Sequence, residues 1–152
     1  MENATPDSDG MYRYRYPRPA VTADTLVFSS DRKEILLIQR KNEPYKGCWA
    51  FPGGFMEMDE TLEQCARREL SEETSLQVGD MVEIGSFSKV DRDPRGRVIT
   101  TAYYTFVDKN AAHPHAADDA AEIQWFPLNT LPPLAFDHQE ILEKAILAIS
   151  GK

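Results

Sequence analysis

Residues 53–76 read GGFMEMDETLEQCARRELSEETSL, and this stretch predicts the helix around which the rest of the chain is arranged. Thr61 followed by Gln64 is a capping-box pattern, and Asp59 is the alternative cap. Between the cap and Thr74 there is no residue that breaks a helix. We therefore predict a helix that begins after Thr61 and ends at Thr74.

Three carboxylates of this helix are predicted to point toward the body of the protein. At 100° per residue the apolar side chains form one narrow stripe, which consists of Leu62, Cys65 and Ala66. Glu69 and Glu73 fall in line with this stripe, and Glu72 falls beside it. Buried carboxylates are costly unless a cation neutralises them, and a hard divalent cation would do so. The alternative is an ordinary charged helix with a surface ion pair between Arg68 and Glu72.

The same stretch resembles the Nudix box, whose pattern is G-x5-E-x7-R-E-U-x-E-E-x-G-U with U aliphatic. The matching residues are Gly54, Glu60, Arg68, Glu69, Leu70, Glu72, Glu73 and Leu76. Ser75 stands where the pattern has its second Gly, at a helix end where Gly adopts a left-handed C-cap at little cost. A Ser in that conformation costs about 1–2 kcal/mol. This departure weakens a cap and touches no ligand, so we expect activity to be kept.

The resemblance implies an α/β fold, the single-domain Nudix α/β/α sandwich with a mixed central sheet. It also implies a metal-assisted attack of water on a diphosphate linkage. The implied ligands of Mg²⁺, or alternatively of Mn²⁺, are Gly53, Glu69, Glu72 and Glu73. Arg68 and Glu60 would orient this cluster. The general base is left open between a box carboxylate and Glu122, which is equally consistent with a solvent-facing strand position.

Two further segments resemble those of ADP-ribose pyrophosphatases and of their regulatory relatives. Residues 91–97 read DRDPRGR, and residues 134–138 read LAFDH ahead of an apolar helix. The guanidinium groups suit phosphate and ribose oxygens, and a Phe ring could stack on adenine. The implied substrate-binding residues are Arg40, Arg92, Arg95, Phe51 and Phe136. The alternative for the arginines of residues 91–97 is a solvated hairpin tip, and His138 is expected to form a hydrogen bond at the helix start rather than act as an acid or base.

These resemblances predict a magnesium-dependent hydrolase that cleaves ADP-ribose, or a similar nucleoside diphosphate sugar, to AMP and a sugar phosphate. One alternative is a hydrolase of nucleoside triphosphates or oxidised nucleotides. Another is a non-catalytic sensor that binds ADP-ribose, because some relatives are regulators with a DNA-binding winged helix after the Nudix domain. All box carboxylates are present and the chain ends at Lys152, so we favour the enzyme.

Composition narrows the class of protein further. The chain has 152 residues and a net charge of −8, with a pI near 4.9. This acidity disfavours nucleic acid and anionic membranes as partners and favours a small nucleotide-sugar ligand held by local arginines. Cys48 and Cys65 match no disulfide framework or zinc site. Without a secretion signal or an apolar membrane span, we expect a cytoplasmic protein.

The remaining elements follow from local patterns. Six strands are predicted, at Val21–Ser29, Glu34–Arg40, Trp49–Gly54, Met81–Val90, Val98–Val107 and Glu122–Leu128. A final helix should begin at Asp137, with Glu140 as its capping-box partner. We predict a disordered tail at 1–10 and the Nudix domain at 11–152. The Tyr/Arg arm at 12–16 has two interpretations. It is an edge strand whose tyrosines cover either the domain or the partner subunit of a homodimer, or it is an arm that stacks on a nucleotide base. We favour the edge strand.

Overall fold

The computed structural model describes residues 5–116 and 120–151, and its seven strands form one mixed sheet. The strand order is β3-β2-β1-β6-β5, while β4 also pairs with β1 and β7 with β2. The elements in chain order are β1 (Ala20–Ser29), β2 (Glu34–Arg40), β3 (Trp49–Ala50), β4 (Gly53–Phe55), α1 (Leu62–Thr74), β5 (Val82–Phe87), β6 (Val98–Val107), β7 (Ala120–Pro127) and α2 (His138–Ser150). Only the β1–β6 pair among these is parallel.

Strand β1 lies at the centre of the sheet and is covered on both faces. Leu26 and Phe28 pack in the same buried cluster as Ile141 of α2. Val27, whose side chain points the opposite way, packs with Leu70 of α1. The two helices therefore cover opposite faces of the sheet. This arrangement confirms the predicted α/β/α sandwich.

Helix α1 begins and ends where the sequence predicts. The Thr61 hydroxyl accepts a hydrogen bond from the Gln64 backbone N–H at 3.1 Å, and the Gln64 side chain accepts one from the Thr61 N–H at 2.9 Å. Both halves of the capping box are therefore formed, and Asp59 is not the cap. Ser75 follows the helix in the left-handed region with φ 65°. Cys65 is fully buried against the sheet, as expected of a packing residue.

Three predicted strand boundaries differ from the structure. The run from Trp49 to Gly54 is split into β3 and β4, because Pro52 has no N–H to offer the sheet. Strand β5 ends at Phe87 rather than Val90, and Lys89 instead reaches toward helix α2. Strand β7 occupies Ala120–Pro127 rather than Glu122–Leu128. The other three strands lie within one residue of their predicted ends.

The predicted capping box of α2 is wrong. Asp137 precedes the helix but makes no side-chain cap, because its carboxylate accepts two hydrogen bonds from Arg92, at 2.7 and 2.9 Å. Glu140 accepts a hydrogen bond from Lys89 at 2.6 Å instead of reaching back to the helix start. Ion pairs to the β5–β6 loop thus replace the cap. Within α2, Ile141 and Leu142 are buried, whereas Ile146 is 41% exposed.

The N-terminal arm folds locally and lies outside the seven-stranded sheet, so the predicted edge strand is not formed in the described residues. Pro6 and Tyr12 form an isolated antiparallel bridge, and Asp7 pairs with Arg13 at 2.8 Å. Tyr14 and Tyr16 remain exposed. Residues 1–4 of the predicted tail lie outside the described residues. Across the described chain, neither helix combines the length and the apolarity that a membrane crossing requires.

Candidate active site

A cavity of about 360 Å³ opens beside helix α1, which we call the box helix because it contains most of the Nudix-box pattern. Its walls come from β1, β2, β4, α1, the β5–β6 loop and the start of α2. One wall is acidic, with Asp24, Glu69 and Glu73, and another carries the guanidinium groups of Arg40 and Arg95. The volume is within the range of small-ligand sites. A cavity with both acidic and basic residues in its lining suits a ligand that binds partly through a metal ion and partly through its own anionic groups.

Two of the three predicted carboxylates point into the cavity. The Glu69 side chain is 16% exposed and Glu73 is 9% exposed, and both line the cavity. The chain passes close to Glu69 at Gly54, where an added Cβ would lie 2.5 Å from the Glu69 carboxyl carbon. A side chain at position 54 would therefore displace the Glu69 carboxylate from its present position.

Glu72 does not join them. Its side chain is 59% exposed, and its carboxylate accepts a hydrogen bond from Arg68 Nη1 at 3.2 Å. The prediction that Glu72 faces the body of the protein is wrong for this arrangement. Glu72 lies at the margin of the helix stripe, and Arg68, one turn earlier, draws its carboxylate outward.

Arg68 connects the acidic residues of the box. Its guanidinium donates two hydrogen bonds to Glu60, at 2.7 and 2.9 Å, and one to Glu69 at 2.8 Å. A further bond at 3.1 Å reaches the Phe55 carbonyl. The hydrogen bonds from Arg68, followed by one from the Glu57 backbone N–H, lower the pKa of Glu60 to about 2. Glu60 therefore stays ionised and orients Arg68, as the sequence analysis expected of this pair.

The donor set fits a divalent cation in its chemistry. Within the described residues, no three His, Cys, Asp or Glu side chains converge as a metal-binding group. Glu69 and Glu73 nevertheless line one cavity together with Gly53. Mg²⁺ commonly binds through one or two carboxylates and completes its shell with water and substrate phosphate oxygens. Two carboxylates would therefore be enough to hold Mg²⁺, and the role of Glu72 as a third ligand stays a prediction.

Asp24 is a site residue that the sequence analysis missed. It lies in the middle of β1, is 8% exposed and lines the cavity. The Thr100 hydroxyl donates a hydrogen bond to Asp24 Oδ2 at 2.6 Å. Burial raises the pKa of Asp24 to about 6, although the Thr100 hydrogen bond opposes this rise. The signal available in the sequence was an acidic residue inside an otherwise buried strand.

All three predicted arginines line the cavity, and Arg40 and Arg95 form the part that we call its basic wall. Arg40 donates a hydrogen bond from Nε to the Pro44 carbonyl at 2.7 Å, and its pKa is lowered by burial and then by the neighbouring charge of Arg95. Arg95 makes a two-point ion pair with Asp93, whose side chain is 2% exposed. Burial raises the pKa of Asp93, but the hydrogen bonds and charge of Arg95 outweigh burial and leave it lowered.

Arg92 and Phe51 also line the cavity, but each side chain is buried and in contact with another residue of the protein. The Arg92 side chain is only 4% exposed, and its guanidinium is committed to Asp137. Phe51 is 2% exposed, and one face of its ring is covered by His138 at a centroid distance of 4.4 Å. The Phe51 N–H donates to His138 Nδ1 at 3.2 Å, so His138 is the hydrogen-bonding residue that was expected. Burial lowers the pKa of His138 to about 3 and keeps it neutral.

The last two candidates differ in position. Phe136 lines the cavity, with the Arg40 guanidinium carbon 5.0 Å and the Arg95 guanidinium carbon 5.4 Å from its ring centroid. Glu122 is exposed on β7 opposite Gln39. Gln39 lines the cavity, whereas Glu122 is not among the described residues that do. In this conformation Glu122 therefore has the solvent-facing position that was the alternative to a catalytic one.

Comparison with known proteins identifies the family of this chain. A profile described as the NUDIX domain matches residues 18–145 of the chain. The chain belongs to the NUDIX family. The match spans all seven strands, the box helix and the first residues of α2 up to Ala145. The NUDIX domain therefore contains every residue of the cavity wall.

Three relatives show the range of proteins that this NUDIX domain resembles. An ADP-ribose pyrophosphatase of Methanocaldococcus jannaschii is 47% identical over 132 residues, which cover 86% of this chain and 76% of the relative. An ADPR responsive transcriptional repressor, NtrR of Acinetobacter baylyi, is 36% identical over 90% of this chain, which spans only 57% of the repressor. A solved bifunctional NMN adenylyltransferase/ADP ribose pyrophosphatase of Francisella tularensis, complexed with AMP and a Mn ion, has a TM-score of 0.76. It is 33% identical over 89% of this chain and 43% of the solved chain.

Proposed function

We propose that this NUDIX hydrolase cleaves ADP-ribose, or a closely similar nucleoside diphosphate sugar, to AMP and a sugar phosphate with the help of Mg²⁺. The single observation that carries the proposal is the cavity that brings together two box carboxylates and two guanidinium groups. The 47% identity to an ADP-ribose pyrophosphatase supports this substrate. The Mn ion in the Francisella tularensis structure supports a divalent cation.

In the proposed mechanism Glu69, Glu73 and the Gly53 carbonyl hold the cation. When bound, the cation neutralises diphosphate charge and lowers the pKa of a coordinated water, which is the chemistry this family of sites uses. The protein itself supplies orientation. Arg68 fixes the Glu69 carboxylate at 2.8 Å and is itself fixed by Glu60. Removing Glu60 should therefore weaken the site without removing a ligand.

The basic wall binds the opposite side of the diphosphate in this proposal. Arg40 and Arg95 line the cavity together, and burial already lowers the pKa of Arg40. Two guanidinium groups that share one small cavity repel each other, and a diphosphate anion between them removes this repulsion. Binding of the anion is therefore favoured by the same positive charge that destabilises the empty arrangement.

The test is phosphate release in a coupled phosphatase assay with Mg²⁺, over ADP-ribose, other nucleotide sugars, dinucleotides and nucleoside triphosphates. We expect ADP-ribose to be preferred and Glu73→Gln to lower kcat by about a hundredfold or more, as loss of a metal ligand or its orientation does. Glu72→Gln is the matched control from the same helix. Because Glu72 is exposed and turned outward, its substitution should cost much less.

Other outcomes of this assay would assign the protein differently. Preference for nucleoside triphosphates would be consistent with the proposed metal-binding role of the acidic wall but would reject ADP-ribose as the substrate. ADP-ribose that binds without being cleaved would identify a sensor, the activity class of the repressor NtrR. Calorimetric titration of ADP-ribose in the absence of metal separates these two results.

A further inference from the structure

Two guanidinium groups of the cavity lining are in contact with aromatic rings of the same lining. The Arg95 guanidinium carbon lies 5.2 Å from the centroid of the Phe55 ring and 5.4 Å from that of Phe136. The Arg40 guanidinium carbon lies 5.0 Å from the same Phe136 ring. The Arg95 guanidinium is thus in contact with two aromatic rings, and all four residues line the cavity. We call the space between Phe55 and Phe136 the Phe55–Phe136 slot.

The Phe136 side of the slot is built on a strained backbone. Phe136 has φ 52° and Tyr45 has φ 60°, and their rings meet at a centroid distance of 4.9 Å. Bulky residues rarely occupy this left-handed region, and they stay there only where the surrounding structure holds them. The next residue, Asp137, provides that hold through its buried ion pair with Arg92. Such strain is typical of ligand-binding positions.

The two aromatic rings hold Arg95 only weakly, and its ion pair with Asp93 is the stronger contact. Phe55 is 45% exposed and the Arg95 side chain is 41% exposed, although Asp93 holds one edge of the guanidinium. Cation–π contacts at exposed sites are weak. A planar heterocycle between the same two rings would bury more apolar surface, and stacking on aromatic side chains suits any nucleobase. The guanidinium and a base are both planar, so one can replace the other.

We propose that the Phe55–Phe136 slot is the nucleobase site of this enzyme, and that Arg95 is a place-holder which the base displaces toward the diphosphate. This inference rests on the proposed hydrolysis of a nucleoside diphosphate sugar and names the residues that select its base. It makes Phe55, which no sequence pattern pointed to, a specificity-determining residue. It also predicts that Arg95 hinders binding of the adenosine half of the substrate and favours binding of the ribose 5-phosphate half.

The experiment measures the two halves separately, without metal, by ligand-observed NMR with adenosine and with ribose 5-phosphate as probes. Phe55→Ala and Phe136→Leu should weaken adenosine binding about fivefold or more, which is the usual effect of removing a stacking ring. Arg95→Ala should instead tighten adenosine binding about threefold, because the base no longer competes with a cation–π contact. Arg95→Ala should weaken ribose 5-phosphate binding, whereas Phe55→Ala should leave it unchanged.

Val90→Ala is the matched control, since Val90 is 76% exposed in the same loop as Arg95 and does not line the cavity. If adenosine binding weakens in both Arg95→Ala and Phe55→Ala, Arg95 does not compete with the base and is not a place-holder. If adenosine binds Phe55→Ala as tightly as the wild type, or binds neither protein, the slot is not the nucleobase site. Failure of ADP-ribose hydrolysis in the wild type, with the opposite effects on adenosine intact, would reject the proposed function and keep the slot.

Discussion

Ser75 shows how one residue can lower the stability of the box helix without touching the site. Its φ of 65° places a side chain where glycine is usually found. Ser75→Gly should raise the free energy of unfolding by about 1 kcal/mol and the melting temperature by about 2–4 °C. Thermal unfolding followed by circular dichroism measures this shift, and kcat should be unchanged.

Ser150→Gly is the control for this prediction. Ser150 is exposed and ends α2 in a helical conformation, so glycine there removes helix propensity without relieving strain. The control should therefore be neutral or destabilising. An equal gain in stability from both substitutions would show that the left-handed geometry of Ser75 costs nothing.

His138 should make stability depend on pH in a defined direction. Its pKa is about 3 when folded and 6.5 in the unfolded chain, so below pH 6.5 only the unfolded state takes up the proton. The stability that the neutral ring provides is present above pH 6.5 and is lost as pH falls toward 3. Asp24, with its raised pKa, acts in the opposite direction below pH 6, so the wild-type curve alone does not isolate His138.

A comparison with His138→Asn isolates the effect. The Asn side chain can still accept a hydrogen bond from the Phe51 N–H but does not titrate. The stability advantage of the wild type over the variant should shrink by about 2 kcal/mol between pH 7 and pH 5. Urea unfolding at each pH gives this difference. A difference that is constant with pH would contradict the buried, neutral state of His138.

At the scale of elements, two ion pairs connect the β5–β6 loop to the first turn of α2. Arg92–Asp137 is buried, with side chains 4% and 9% exposed, whereas Lys89–Glu140 is 62% and 52% exposed. Arg92→Met should cost about 3–5 kcal/mol, because it leaves the Asp137 carboxylate buried without its cation. Asp137→Asn should recover part of this loss in the double variant.

Lys89→Met provides the matched comparison, because it cuts an exposed pair between the same two elements. It should cost much less stability than Arg92→Met, because ion pairs in solvent contribute little. Urea unfolding of the wild type and of these three variants measures both effects. Equal losses for Arg92→Met and Lys89→Met would show that burial does not determine the strength of this connection.

The sequence predicted elements better than it predicted side-chain partners. The box helix, its cap and strand β6 follow from local patterns, since capping residues and periodicity act over a few positions. The role of Arg92 did not follow, because Asp137 is distant in the chain and only the fold brings the two together. Glu72 was misplaced for a related reason, since a flexible carboxylate at the margin of a helix face follows its nearest cation. The strained Phe136 has no local signal that we identified.

At the scale of the whole molecule, we propose that the N-terminal arm joins two subunits. Tyr12, Tyr14 and Tyr16 are exposed on a segment that precedes β1 and pairs with no strand of the described sheet. Deleting residues 1–16 should convert a dimer to a monomer while the circular dichroism spectrum is kept. Light scattering measures the mass. A full-length monomer, or a dimer that survives the deletion, would contradict the proposal.

The parallel pairing of β1 with β6 also affects how the protein reaches this structure. Ala20 is paired with Val98 and Ser29 with Val107, so the central ladder joins distant parts of the chain. Contacts of such high contact order form slowly, because a long loop must close first. During synthesis the box helix leaves the ribosome before β6 does, while one edge of apolar β1 has no partner. A chain stalled before Val98 would therefore present an aggregation-prone strand edge, and helix α1 would lack the completed sheet that it packs on.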